Sequence, residues 1–191
     1  EAGRPDTITE DKLKVAATYG VTRISVNTQT LNDKILSDIG RAHNSEDFFR
    51  AYSIAEKSGI HPVIGCEVYV AARTRFDKEH ALDRTSDHLL LLCENETGYR
   101  NLVQLVTKAN LEGFYHRPRV DEELLREYSE GLICLSGCIA GKIPRLILAG
   151  EYERAKATAM FYREIFGKEN YFIEVQNHGI RVLWTDPRSS L

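Results

Sequence analysis

The chain has 191 residues, of which 42% are hydrophobic and 28% charged, with a formal net charge of -3. That length suits a domain able to bury its own core without disulfides or a structural metal. The small net charge excludes a global field that would draw a polyanion, so nucleic-acid contact would need a local basic patch or the rest of a larger protein. The longest apolar runs, such as Leu89 to Cys93, are too short to cross a bilayer. Cys66, Cys93, Cys134 and Cys138, with no signal-peptide pattern at the start, point to a reduced, cytoplasmic chain. The opening Glu-Ala-Gly-Arg-Pro reads as cut from a longer gene, and residues 181–191 read as a tail of unknown origin.

Thr9 is placed to cap a helix running through Tyr19 and stopped by Gly20. Val21 to Asn27 alternates with β-branched residues and predicts a strand. A helical stretch from Asn32 to Ile39 ends at Gly40. Ser45 opens another, with Phe48, Tyr52 and Ala55 on one face and Gly59 after its last turn. Pro62 to Val70 and His88 to Cys93 are apolar strands. Thr97 starts a helix with Leu102, Leu105, Val106 and Ala109 as its stripe. Leu132 to Ser136 is a buried-type strand, Gly141 to Leu148 a short helix, and Glu151 to Phe166 a long one with Ala155, Ala159, Tyr162 and Phe166 inward. Tyr171 to Val175 is the last strand. Apolar strands separated by helices predict an α/β fold with parallel strands covered by helices. About five such units make a partial β/α barrel or an open sheet rather than a closed eight-stranded barrel.

Several stretches carry a family resemblance: Pro62-Val-Ile-Gly-Cys-Glu-Val-Tyr-Val70, Arg73 to Lys78, His88-Leu-Leu-Leu-Leu92 and Glu96-Thr-Gly-Tyr-Arg-Asn-Leu102. Leu111-Glu-Gly-Phe-Tyr115, Arg117-Pro-Arg-Val-Asp121, Glu130 to Cys138 and Gln176-Asn-His-Gly-Ile180 continue it. In order and spacing, residues 61–180 resemble the PHP domain of bacterial DNA polymerase III alpha subunits, a fold related to the TIM barrel. Residues 1–60 show neither the His-x-His strand nor the Thr-Asp-His-Gly-type turn of that family. Glu1 to Asp6, Gly20 to Ser25 and Leu31 to His43 instead resemble a β/α segment of radical SAM enzymes of the coproporphyrinogen oxidase type. The C-x3-C-x2-C motif of that superfamily is absent, so no iron–sulfur cluster is expected. The chain therefore reads as a chimera joined near Ser58 to His61.

The resemblance implies metal ligands at Glu67, His88 and Cys138, a carboxylate, an imidazole and a thiolate that suit zinc or manganese as a partial site. The residues also admit other readings. Glu67 lies in an apolar strand where an unpaired carboxylate is costly, so a partner or a metal must satisfy it. His88 opens its strand, whereas barrel sites gather at strand C-termini, which favours a strand-edge histidine. Cys138 sits in a Gly-flanked turn and is either a ligand or an inert core thiol, as Cys66, Cys93 and Cys134 are expected to be. His178 follows the last strand, where it would either face the same barrel mouth or, as the preferred reading, be a surface turn residue. Arg73, Arg75, Lys78, Arg117 and Arg119, beside Phe76, Phe114 and Tyr115, form two short basic clusters, read as a solvated surface or a docking face for neighbouring polymerase domains in preference to a contact with phosphate backbones.

The missing family motifs, including a closing Asp-x-His, leave enough ligands for one ion. The resemblance implies a DNA-replication fragment with a structural role and no turnover, lacking the polymerase carboxylates. Its partners would be other domains and subunits of the replicative polymerase, with DNA reached weakly or through the parent. An open sheet edge would favour a homodimer. The alternative is a metal-dependent phosphoesterase or 3′–5′ exonuclease-type hydrolase.

Overall fold

Two units, divided between Val63 and Ile64, make up the computed structural model, which describes residues 4–21, 24–28, 30–60 and 63–175. In the first unit a 3-10 turn (Pro5–Thr7) precedes helices α1 (Glu10–Thr18), α2 (Asp33–Asp38) and α3 (Ser45–Lys57). Each helix begins at a side-chain cap that satisfies an otherwise orphaned amide. Thr9 accepts from the Lys12 amide and Asn32 from the Ile35 amide. Asn44 accepts from the Asp47 amide, and the Asp47 carboxylate accepts from the Asn44 amide in return. Ile8, Leu13, Ala51 and Ala55 form the core of this unit, with Ile24, Val26, Ile54 and Ile60 packed against it. The buried stripe of α3 is therefore Ala51 and Ala55, and Tyr52 faces outward. The strand expected over Val21 to Asn27 does not form at the described residues 24–28. Ile24 and Val26 anchor in the core by their side chains, and no strand forms among the described residues of this unit for them to pair with.

The second unit runs β1 (Gly65–Ala71), α4 (His80–Asp83), β2 (Ser86–Cys93), α5 (Glu96–Leu111), β3 (Arg119–Val120), α6 (Glu122–Glu127), β4 (Leu132–Leu135), α7 (Lys142–Leu148), α8 (Tyr152–Phe166) and β5 (Tyr171–Phe172). Its strands form one open sheet in the order β3-β1-β2-β4-β5. Alternation sends Val68, Val70, Leu89, Leu91, Leu132 and Cys134 to one face, where they pack with Leu102, Leu105 and Ala109 of α5 and Ala155, Tyr162 and Phe166 of α8. Burial there pushes the Cys134 thiol and the Tyr162 and Tyr171 phenols above their usual ranges. The other face carries Glu67, Tyr69 and His88.

The α/β fold expected of these strands and helices is present, with one departure from an all-parallel sheet. Pairs β1–β3 and β4–β5 are parallel, but β2 runs antiparallel to both β1 and β4. Parallel neighbours need a long crossover, usually helical. Residues 72–85 hold only the one-turn helix α4, so the chain doubles back beside β1. Strand β5 stops at Phe172 instead of Val175, because the Glu174 amide donates to the Ser136 hydroxyl at 2.9 Å rather than to a strand carbonyl. Both edge strands are two residues long. Nothing among the described residues supports the expected edge-paired homodimer, for which such edges offer little ladder.

The basic clusters are largely spent inside the unit. Arg75 is buried and pairs with Asp121, Glu112 and Glu123 at 3.0, 2.7 and 3.1 Å. Burial opposes its charge, yet the hydrogen bonds to those carboxylates outweigh it and raise its pKa. Arg119 is also buried and donates to the carbonyls of Gly113, Asp83, Arg75 and Asp77 at 2.8–3.3 Å. Arg73 pairs with Asp83 at 2.5 Å and Glu79 at 3.3 Å. These arginines stitch loop 72–85 to β3 and the end of α5.

The hydrogen bond from Arg73 holds the buried Asp83 carboxyl down at about 2. An aspartate ordinarily titrates at about 3.9. Because the folded value is the lower one, the pair's stabilisation is complete above the ordinary value and is lost as pH falls toward 2. Urea midpoints of the wild type and Asp83→Asn should therefore converge between pH 5 and pH 2. A gap between them that does not change with pH would contradict this origin of the shift.

Candidate metal centre

The reversal of β2 explains how a residue that opens a strand can reach a site at strand ends. His88 pairs with Tyr69 near the end of β1, and Leu90 pairs with Leu135, the last residue of β4. The first residues of β2 thus lie among the last residues of its two neighbours. Glu67, two residues before Tyr69, shares the sheet face of His88 and is its diagonal neighbour across the pair. The strand-edge reading of His88, based on its place at the start of a strand, assumed a parallel direction that β2 does not have.

Cys138 reaches the same place through the turn after β4. The Ser136 amide donates to the Phe172 carbonyl at 3.0 Å, and the His88 amide donates to the Ala140 carbonyl at 3.2 Å. Between these anchors Gly137 adopts φ +80, and a Cβ there would lie 2.7 Å from the His88 carbonyl oxygen. Only glycine both accepts this backbone conformation and leaves room for the close approach. The Ser-Gly-Cys sequence thus folds the turn down onto His88 and delivers the Cys138 side chain beside its ring.

The three donor atoms all lie within 4.8 Å of one another. His88 Nδ1 is 3.2 Å from Glu67 Oε1 and 3.6 Å from Cys138 Sγ. Zinc bonds of about 2.0–2.3 Å at tetrahedral angles place an oxygen and a nitrogen ligand about 3.3 Å apart, and a sulfur and a nitrogen about 3.6 Å apart. The two separations from His88 Nδ1 match those of one such ion. A nucleophilic relay fits the donor set poorly, because a Cys–His–carboxylate relay uses both ring nitrogens, one facing the thiol and one the carboxylate. Here the carboxylate and the thiol converge on Nδ1 alone. The Tyr69 ring meets the His88 ring edge-on at 5.0 Å between centroids and fixes its plane.

All three residues named as ligands from the sequence are brought together, while Cys66, Cys93 and Cys134 line the helix-covered face of the sheet. His178 lies outside the described residues. Among the described residues no other group of three His, Cys, Asp or Glu side chains is placed to hold an ion, and no helix is long and apolar enough to cross a membrane. Tyr69 was not anticipated. Its place two residues from Glu67 on the alternating strand was the available signal.

The chain is 53% identical over 128 residues to the DNA polymerase III subunit alpha of Treponema pallidum, covering 66% of this chain and 11% of that protein. It is 46% identical over 147 residues to the subunit alpha of Borreliella burgdorferi and 44% identical over 147 residues to that of Thermus aquaticus, each match covering 76% of this chain and 12% of the relative. The chain thus spans about an eighth or less of the length of these relatives. The family model of the PHP domain matches residues 25–178. That match passes through the join expected near residues 58–61, so the expected chimera has no support. With most of its length under the family model, the chain belongs to the PHP domain family.

Proposed function

We propose that the chain is the metal-binding PHP module of a replicative polymerase alpha subunit, working in the cytoplasm on DNA replication beside the other domains and subunits of that enzyme. In this reading Glu67, His88 and Cys138 hold a single ion, and the module is structural, without turnover of its own. The gathering of three donor atoms within 4.8 Å of one another carries the reading. A thiolate in the set favours zinc over manganese, which prefers oxygen ligands. When bound, the ion ties β1, β2 and the 136–141 turn together.

Protein stripped with chelator and titrated with zinc should take up one ion per chain, measured by mass spectrometry of the metal content. Cys138→Ala should weaken zinc binding beyond the roughly 10–100-fold typical of losing an outer partner of a metal ligand. Glu67→Ala should do the same, with the urea midpoint of the metal-free protein nearly unchanged, since both side chains stand outside the core. Failure of the wild type to bind zinc, or binding indifferent to Cys138→Ala, would overturn the assignment.

One observation favours the hydrolase reading as a second possibility. Three protein ligands leave a tetrahedral ion one open position, the arrangement used by catalytic zinc. Zinc-dependent hydrolysis of a phosphodiester that disappears in Glu67→Ala would establish that reading in place of the structural one.

A further inference from the structure

His88 faces the other two donor atoms with one ring nitrogen only. Glu67 and Cys138 stand 3.2 and 3.6 Å from its Nδ1. Metal-bound histidines are commonly oriented by a hydrogen bond from their second ring nitrogen. Among the described residues no protein group makes that bond to His88 Nε2. The end torsion of a histidine is broad and roughly two-fold, so a half-turn of the ring would put a carbon where Nδ1 stands. The orientation of the imidazole therefore rests on its packing, and the ring it packs against is Tyr69, met edge-on at 5.0 Å.

Tyr69 has a second contact of its own. The Arg117 guanidinium lies over its ring at 4.8 Å. Arg73 and Arg75 are held by carboxylates and Arg119 by backbone carbonyls. Arg117 is exposed and joins no ion pair among the described residues. A tyrosine face holds a guanidinium while its N–H groups stay in water. The ladder brings the two side chains together, because β3 pairs Arg119 with Tyr69 and Arg117 lies two residues earlier.

The turn that delivers Arg117 is held in an unfavourable conformation. His116 has φ 58, the left-handed backbone that a non-glycine residue keeps only where its surroundings impose it. The Tyr115 amide donates to the Arg117 carbonyl at 3.0 Å, and the Tyr115 and His116 ring centroids are 4.4 Å apart. The buried Arg119 guanidinium lies 5.3 Å from the Tyr115 ring. Pro118 follows and restricts Arg117 to extended backbone. The placement of Arg117 is thus set by its own segment.

We propose that Arg117 is a positioning residue of the metal centre: fixed by its turn, it pins the Tyr69 ring, which holds His88 with Nδ1 toward Glu67 and Cys138. This rests on the single-ion reading above, although the chain of contacts exists without the ion. The sign of the effect separates a brace from a mere nearby charge. By charge alone Arg117 repels a divalent cation, so its removal would tighten binding. A brace predicts weaker binding.

The full chain is titrated with zinc against a chromophoric chelator, and the cobalt-loaded chain is followed by its absorption bands. Arg117→Ala should weaken zinc about two- to fivefold, the worth of an exposed cation–π contact, with one ion still bound. Its cobalt bands should broaden or shift from those of the wild type. Arg117→Lys keeps a cation for the ring and should recover most of the loss. His116→Val leaves Arg117 in place but disfavours the left-handed backbone, so it should weaken zinc more than His116→Gly, which accepts that backbone. Zinc binding unchanged or tightened in Arg117→Ala overturns the brace and leaves the metal assignment standing. The brace itself is read in the metal-free protein from through-space proton contacts between the Tyr69 and His88 rings by nuclear magnetic resonance, which should fade in Arg117→Ala. If the wild type binds no zinc, fading contacts keep the brace and remove the ion, and unchanged contacts remove both.

Discussion

Asp121→Ala should cost the chain about 3–5 kcal/mol, the range found when one partner of a buried ion pair is removed. Asp121 is buried and does three things with one carboxylate. It pairs with the Arg75 guanidinium at 3.0 Å, accepts the Arg75 amide at 2.9 Å, and caps α6 by accepting the Leu124 amide at 3.1 Å. Alanine would leave a largely enclosed guanidinium with only Glu112 and Glu123, and two buried amides with no acceptor. Domains of this size are stable by roughly 5–15 kcal/mol, so the loss approaches the whole margin. Urea denaturation followed by circular dichroism measures it. Asp121→Asn keeps an acceptor for the cap and should fall between wild type and alanine. Glu123→Ala, at a side chain 72% exposed, should cost less than about 1 kcal/mol. Equal effects of Asp121→Ala and Glu123→Ala would show that the network is not organised around Asp121.

Gly98→Ala is the second large effect, and its sign is opposite to the usual one. In a helix interior, alanine normally gains about 1 kcal/mol over glycine. Gly98 lies in the first turn of α5, where its amide donates to the Asn95 cap at 3.0 Å. A Cβ there would stand 1.8 Å from the Gly131 carbonyl oxygen and 2.5 Å from its carbonyl carbon. These are backbone atoms, and the same carbonyl accepts from the Glu94 amide at 2.9 Å, so it has little freedom to withdraw. Helix and turn would have to part, at an overpacking cost of about 1–3 kcal/mol. A thermal melt of Gly98→Ala should show a lower midpoint, and a raised one would mean that this junction is looser than its contacts imply.

Much of this was open to reading from residues alone, for identifiable reasons. The runs at Leu89 to Cys93 and Leu132 to Leu135 announce strands because a continuous apolar segment that short has few other uses. The stripe of Leu102, Leu105 and Ala109 announces α5 by its spacing. Glu67, His88 and Cys138 could be named by motif because each sits at a fixed offset from a distinctive run. Other features depended on partners distant in sequence. The carboxylates that consume Arg75 lie 37 to 48 residues away, so a cluster that looked basic in the chain is a buried ion-pair network in the fold. The direction of β2 depends on how residues 72–85 turn, which no periodicity in β2 itself records. Elements such as β3 and α4 are too short for any period to emerge.

The antiparallel pairing of β1 with β2 has one more consequence. Leu89 and Leu91 point into the helix-covered core, and His88, one residue earlier, points the other way. Sliding β2 by a single position would exchange those roles, exposing two leucines and swallowing the imidazole. A register slip of β2 therefore cannot disturb the imidazole's aim without also dismantling the hydrophobic interior. The aim of the ring is therefore tied to the stability of the core beneath it.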